Sequence, residues 1–110
     1  MNILIIKLGA AGDVLRTTGC LEPLLIKYPG SSIFWLVRDE NKFILKDNPY
    51  ISEIFTLTGD TSLEDIYNLL KPHNITLAIN LEENLLTSKL TTLIDSAKIG
   101  FINKDSVITP

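Results

Sequence analysis

One cysteine, one histidine and no long apolar run set the first limits on this 110-residue chain. Cys20, being alone, cannot close an internal disulfide, and so sparing a use of thiols suits a reducing cytoplasm. His73 is equally alone, so no zinc site or other metal ligand set is expected. Positive charge is also short. Ten Lys and Arg against thirteen Asp and Glu leave a net charge of −3, which gives no electrostatic footprint for nucleic acid. The longest early apolar run, Ile3–Ile6, is closed by Lys7 and preceded by no basic segment. It is too short for the core of a signal peptide or for a membrane span. A peripheral association with the inner face of the cytoplasmic membrane is compatible with this composition and not required by it. Internal repeats, low-complexity tracts and charged tails are absent as well.

What is present is apolar and periodic. Hydrophobic residues make up 45% of the chain, enough for one domain with a real core. The Ile-rich run Asn2–Ile6 suits a central parallel strand covered on both faces. A glycine-bearing loop, Lys7–Gly12, leads into a helix expected from about Asp13 to Lys27, with Val14, Leu21, Leu25 and Tyr28 near one face. Tyr28-Pro29-Gly30-Ser31 ends it with turn chemistry. Ile33–Val37 reads as a second strand, with Trp35 as core. A short helix from about Glu40 to Lys46 follows, then a strand over Glu53–Leu57. Thr61–Leu70 reads as a helix whose capping pair is Thr61 and Glu64, closed by Pro72. Ile75–Leu81 (strand), Leu85–Asp95 (helix) and Lys98–Phe101 (strand) complete the pattern. This alternation predicts an α/β fold, a Rossmann-like three-layer parallel sheet in the order 3-2-1-4-5. No finishing helix follows Val107-Ile108-Thr109-Pro110, which suggests a truncated domain.

In such sheets ligands bind beyond the carboxyl ends of the strands, beside the central strand. Lys7-Leu8-Gly9-Ala10-Ala11-Gly12-Asp13 sits there, and its small residues let a ligand approach the backbone. A dinucleotide loop needs Gly-x-Gly-x-x-Gly, whereas this one has only Gly9-x-x-Gly12. A P-loop needs Gly-Lys-Ser/Thr, whereas here Asp13 follows Gly12 and would repel phosphate. Asp39, after the second strand, resembles a ribose-binding acid, but without the glycine pattern it carries little weight. Asp13 has two compatible readings. It can cap the helix, and as an ionised carboxylate in a cleft it can accept a proton from a hydroxyl.

The segment Ile3–Thr18, Ile-Leu-Ile-Ile-Lys-Leu-Gly-Ala-Ala-Gly-Asp-Val-Leu-Arg-Thr-Thr, closely resembles the opening of the family 9 glycosyltransferases. These are the ADP-heptose:lipopolysaccharide heptosyltransferases and their relatives. The likeness continues through Tyr28–Ser31, Trp35–Val37, Asn48–Ile51, Leu77–Leu81 and Ala97–Phe101, and Gly12-Asp13 followed by Thr17-Thr18 is its most specific element. It implies a GT-B architecture, with residues 1–110 as the N-terminal, acceptor-side half and a C-terminal donor-binding half absent. It further implies inverting transfer without a metal ion or other cofactor, an ADP-sugar acting as co-substrate. The implied acceptor is a lipopolysaccharide core or similar glycan. On this likeness the base falls on Asp13, and the fragment by itself is expected to be inactive. The chain departs from its relatives at Gly19, where they usually carry proline, while Pro23 comes one turn later. A mid-helix proline costs about 3 kcal/mol unless the helix bends, so a kink is expected near Gly19–Pro23.

Around Asp13 the candidate substrate-binding residues are Lys7, Gly9, Ala10, Ala11, Gly12, Arg16 and Thr17. Lys7 can pair with Asp13, bind an anionic acceptor, or simply be a solvated strand end. Arg16 can contact an acidic acceptor or pair with Asp13 at i,i+3. Thr17 can offer a hydroxyl or pack in its helix, and Cys20 reads as a core residue. Asn80, Glu82 and Glu83 can line the same cleft, although such a spread of acids more often marks a solvated loop. His73, in a turn, reads as a surface residue. Two alternatives stand beside the enzyme: a non-catalytic α/β binding module, and a nucleotide-binding oxidoreductase domain, against which the glycine pattern argues.

Overall fold

The computed structural model describes residues 1–94, 97–103 and 106–108, with side chains over 1–94. The strands are β1 (Asn2–Ile6), β2 (Ser32–Arg38), β3 (Glu53–Leu57), β4 (Leu77–Asn80), β5 (Ala97–Asn103) and β6 (Ser106–Ile108). They form one sheet in the order β3-β2-β1-β4-β5-β6. The first five are parallel to one another, and β6 lies antiparallel along β5. The expected order is therefore the one observed, with β1 central, and β6 adds an edge the sequence reading did not contain.

β1 is apolar on both sides because it is covered on both sides. Ile3, Leu4, Ile5 and Ile6 are all fully buried, and their alternation divides the core in two. Ile3 and Ile5 join Ile33, Trp35 and Val37 beneath Val14 and Leu21. Those two come from the helices α1 (Ala11–Thr17) and α2 (Leu21–Lys27), and Leu45 comes from the short α3 (Lys42–Leu45). Leu4, Ile6 and Leu8 point the other way, with Phe34 and Leu36, toward Ile66, Leu70 and Leu90. These last three belong to α4 (Leu63–Leu70) and α5 (Leu85–Leu93). Each such side chain contributes about 1.5–3 kcal/mol by leaving water. Trp35 is wholly buried, as expected.

Three local readings change. The single helix expected over 13–27 begins earlier, at Ala11, and is broken into α1 and α2 by a 3₁₀ turn at Thr18–Cys20. The break falls within the stretch, near Gly19–Pro23, for which a kink is expected. The restart places Pro23 in the first turn of α2, where backbone N–H groups have no helical acceptor to lose. The N-terminus of α4 is capped by Ser62 and Asp65 rather than Thr61 and Glu64. Ser62 Oγ accepts from the Asp65 N–H at 3.1 Å, and Asp65 Oδ2 accepts from the Ser62 N–H at 3.4 Å. The Thr61 hydroxyl is already engaged, accepting from the Thr58 N–H at 3.0 Å. The last helix ends at Leu93, with Ile94 already extended, short of the expected limit at Asp95, a residue that itself lies outside the described ones.

Candidate functional site

The loop after β1 is knitted into the sheet before it turns. The Leu81 N–H donates to Ile6 O at 2.9 Å, the Lys7 N–H to Leu36 O at 3.2 Å and the Arg38 N–H to Leu8 O at 3.2 Å. These bonds carry the parallel pairing one residue past β1 on each side. The strand alternation continues with them: Leu8 is buried under α4 and α5, and Lys7 lines the edge of the α1 side. The chain then turns at Ala10, whose carbonyl accepts from the N–H groups of Asp13 and Val14, both at 3.0 Å.

This turn places Asp13 as the third residue of α1, with Ala10 at the cap position. Asp13 is therefore not the helix cap, because the helix starts two residues before it. Its carboxylate remains in the first turn, near the positive end of the helix dipole. The side chain is 46% exposed and pairs with Arg16, as the i,i+3 spacing suggested. The Thr17 hydroxyl donates to the Asp13 carbonyl at 2.6 Å. Asp13, Arg16 and Thr17 together with Lys7 and Leu81 line one shallow depression open to solvent.

Lys7 does not pair with Asp13. Its ammonium lies 3.6 Å from Glu82, and both side chains are mostly buried, at 16% and 17% exposure. Glu82 Oε1 also accepts from the Leu8 N–H at 2.7 Å and the Gly9 N–H at 3.4 Å. Glu82 is thus no solvated loop acid, and the sequence reading undervalued it. Its own backbone N–H donates to Asn80 Oδ1 at 3.0 Å, and Asn80 is fully buried. Asn84 Oδ1 caps α5 by accepting from the Thr87 N–H at 2.8 Å. This polar strip, Asn80–Glu82–Asn84, ties the end of β4 to the loop after β1.

The remaining small residues lie on the other side of the loop. Gly9, Ala10 and Ala11 line a second depression with Arg38 and Asn41. Asn41, which the sequence reading left out, donates to Leu8 O at 2.9 Å, and a Cβ on Gly9 would stand 2.8 Å from its Nδ2. Gly12 is in open space, with nothing within 4 Å of where its Cβ would be. The eight candidates therefore divide: four share the depression at Asp13, three share the one at Asn41, and Gly12 stands in the helix between.

His73 is half-buried rather than a free surface residue. Its ring lies 4.9 Å from Phe34 and 5.2 Å from Phe55, with Nε2 3.6 Å from Glu53. Its carbonyl accepts from the Asn2 side chain, at the start of β1, so it sits at the end of the sheet opposite the loop. Cys20 packs against the core beneath α1 and α2, and burial pushes its thiol pKa up. Among the described residues no group of three or more His, Cys, Asp or Glu gathers as a metal would need. No described helix is long and apolar enough to cross a membrane.

No protein-family model matches the chain, and the comparison with curated proteins gives no match. Solved structures do match. A glycosyl transferase family 9 protein from Veillonella parvula DSM 2008 superimposes with a TM-score of 0.78 at 26% identity, over 91% of this chain and 31% of its own. Escherichia coli heptosyltransferase WaaC, solved with ADP-2-deoxy-2-fluoro heptose, gives 0.71 at 18% identity, over 90% of this chain and 35% of its own. The E. coli ADP-heptose lps heptosyltransferase II gives 0.74 at 16% identity, over 98% and 33%. The chain spans about a third of the length of these structures, and over about nine tenths of its own length it has the fold of the N-terminal GT-B domain of heptosyltransferases.

Proposed function

We propose that this chain is the acceptor-side half of an inverting, metal-independent glycosyltransferase in which Asp13 is the general base. It would move a heptose or related sugar from an ADP-sugar to a lipopolysaccharide core or similar acceptor. One observation carries the reading: the carboxylate of Asp13 is half-exposed at an open depression beyond the central strand, beside two cationic side chains. A base needs that access, because the proton it removes belongs to an incoming hydroxyl. As the acceptor oxygen forms its bond to the anomeric carbon, its proton passes to Asp13 and the bond from that carbon to the donor phosphate breaks. The pair of electrons leaves with the diphosphate, whose charge falls to a donor-binding half beyond this domain. Inverting glycosidases use a carboxylate on water in the same manner.

Arg16 holds the carboxylate in place, and its guanidinium, 77% exposed, is the cation an anionic group on the acceptor would meet, since Lys7 is paired with Glu82. Thr17 uses its hydroxyl proton on Asp13, so its oxygen is left to accept from the substrate. Gly9, Ala10, Ala11 and Gly12 let substrate approach the loop backbone. The test uses the protein that includes the donor-side half, supplied with an ADP-sugar and a lipopolysaccharide-core acceptor. Asp13→Asn should lower transfer by about 10²–10⁴-fold with an unchanged circular dichroism spectrum. A rate near that of the parent removes Asp13 from the role. The 110-residue chain alone should transfer nothing, and turnover by it would refute the division of labour.

A further inference from the structure

Parallel α/β folds commonly bind phosphate on the backbone N–H groups of the loop that follows the first strand. Here two successive N–H groups of that loop, Leu8 and Gly9, converge on a single point, at 2.7 and 3.4 Å. The Lys7 ammonium lies 3.6 Å from the same point. Two successive amides and a lysine form the kind of concave donor set that holds an anion. The point is occupied by an oxygen of the protein itself, Glu82 Oε1.

We propose that Glu82 is a selectivity residue that keeps this loop closed to phosphate by filling the loop's anion position with its own carboxylate. A solvated surface pair would not serve. Lys7 and Glu82 are 16% and 17% exposed, and one carboxylate oxygen accepts from both amides while the Lys7 ammonium is paired with it at 3.6 Å. The carboxylate is also delivered from a fixed base. The backbone on either side of it is pinned, through the Leu81 N–H to Ile6 O at 2.9 Å and the Glu82 N–H to the buried Asn80 side chain at 3.0 Å. An arriving phosphate would have to displace this tethered anion and meet its repulsion at contact range, where two like charges at partial burial oppose each other strongly. The exclusion lies with Glu82 rather than with Asp13, whose carboxylate is turned to Arg16. This inference concerns the loop itself and does not depend on the glycosyltransferase reading.

The experiment is a titration of the 110-residue chain with inorganic phosphate, at fixed ionic strength, followed by the amide resonances of Leu8 and Gly9. In the parent protein these two resonances should stay in place. In Glu82→Ala, which opens the position and frees Lys7, they should move and saturate, with apparent affinity raised roughly tenfold or more. Glu82→Ser, smaller and still polar, is the second variant if the alanine protein does not fold. Adding Lys7→Ala to either variant should abolish the response. Movement of Leu8 and Gly9 in the parent would overturn the proposal. So would a folded Glu82 variant whose two resonances ignore phosphate, since Glu82 would then be only a brace between β4 and the loop. A response that survives loss of Lys7 would also overturn it.

Discussion

A single methyl group at Gly9 should reveal how the loop is held from the β2 side. Its Cβ would stand 2.8 Å from Asn41 Nδ2, closer than real Cβ atoms come, and that nitrogen donates to Leu8 O at 2.9 Å. The amide must yield and its hydrogen bond is lost. One such bond is worth about 1 kcal/mol net. The cost stays near that figure because Leu8 O keeps the Arg38 N–H at 3.2 Å and no acceptor is stranded. A second effect opposes the first. Gly9 is not among the positive-φ residues, so alanine there loses less chain entropy on folding and gains about 0.4–1 kcal/mol. Gly9→Ala in the parent should therefore range from neutral to a loss of about 1 kcal/mol. In an Asn41→Ala background, where nothing is left to strike, the same change should stabilise. The coupling between the two sites is about 1 kcal/mol, or roughly 0.3–1 M in urea midpoint. Urea unfolding of the four proteins, followed by far-ultraviolet circular dichroism, measures it. If Gly9→Ala has the same effect in both backgrounds, the proposed contact is not what limits the loop.

Two further outcomes follow from backbone and burial. Gly30 holds φ at +81° in the turn before β2, with open space around it, so Gly30→Ala meets a conformational cost only. It should lose about 1–2 kcal/mol and melt roughly 4–8 °C lower by calorimetry, while Gly30→Asn should lose less; equal melting of all three proteins would refute this. The half-buried Cys20 thiol has its pKa raised by desolvation, so the folded state holds its proton more tightly than the unfolded state does. The stability this provides is complete below the unfolded thiol pKa of about 8.5 and is lost as pH rises through the folded value. Between pH 8 and pH 11 the parent should thus lose more stability than Cys20→Ala, and parallel losses would exclude the thiol.

Where a residue's partners lie nearby in the chain, the sequence was a good guide. The bounds of β1 and β3 are those expected, the long helix is interrupted at Thr18–Cys20, beside the Gly19–Pro23 stretch, and Arg16 meets Asp13 across one helical turn. Errors of one or two residues came from competing local bonds. Thr61 looks like a cap, but its hydroxyl serves the Thr58 turn and leaves the role to Ser62. The helix over Asp13 starts at Ala11 because the Ala10 carbonyl, rather than a side chain, organises the turn. What the sequence hid is long-range. Glu82 reaches Leu8 across 74 positions and Asn41 reaches it across 33, and no spacing rule connects them. The signal that was available was positional: Glu82 follows the strand beside β1, and an acid there faces whatever the β1 loop offers. His73 was misjudged for the same reason, since Phe34, Phe55 and Glu53 come to it only through the strand order.

Trp35 is the only tryptophan of the chain. Its indole N–H donates to the carbonyl of Lys7 at 3.0 Å while the ring stays wholly out of water. The molecule therefore carries one indole fluorophore, wired to the peptide group from which the proposed substrate loop departs. Its emission wavelength and lifetime should register any displacement of that group, so that occupancy beyond β1 can be followed optically, in real time, with no dye attached.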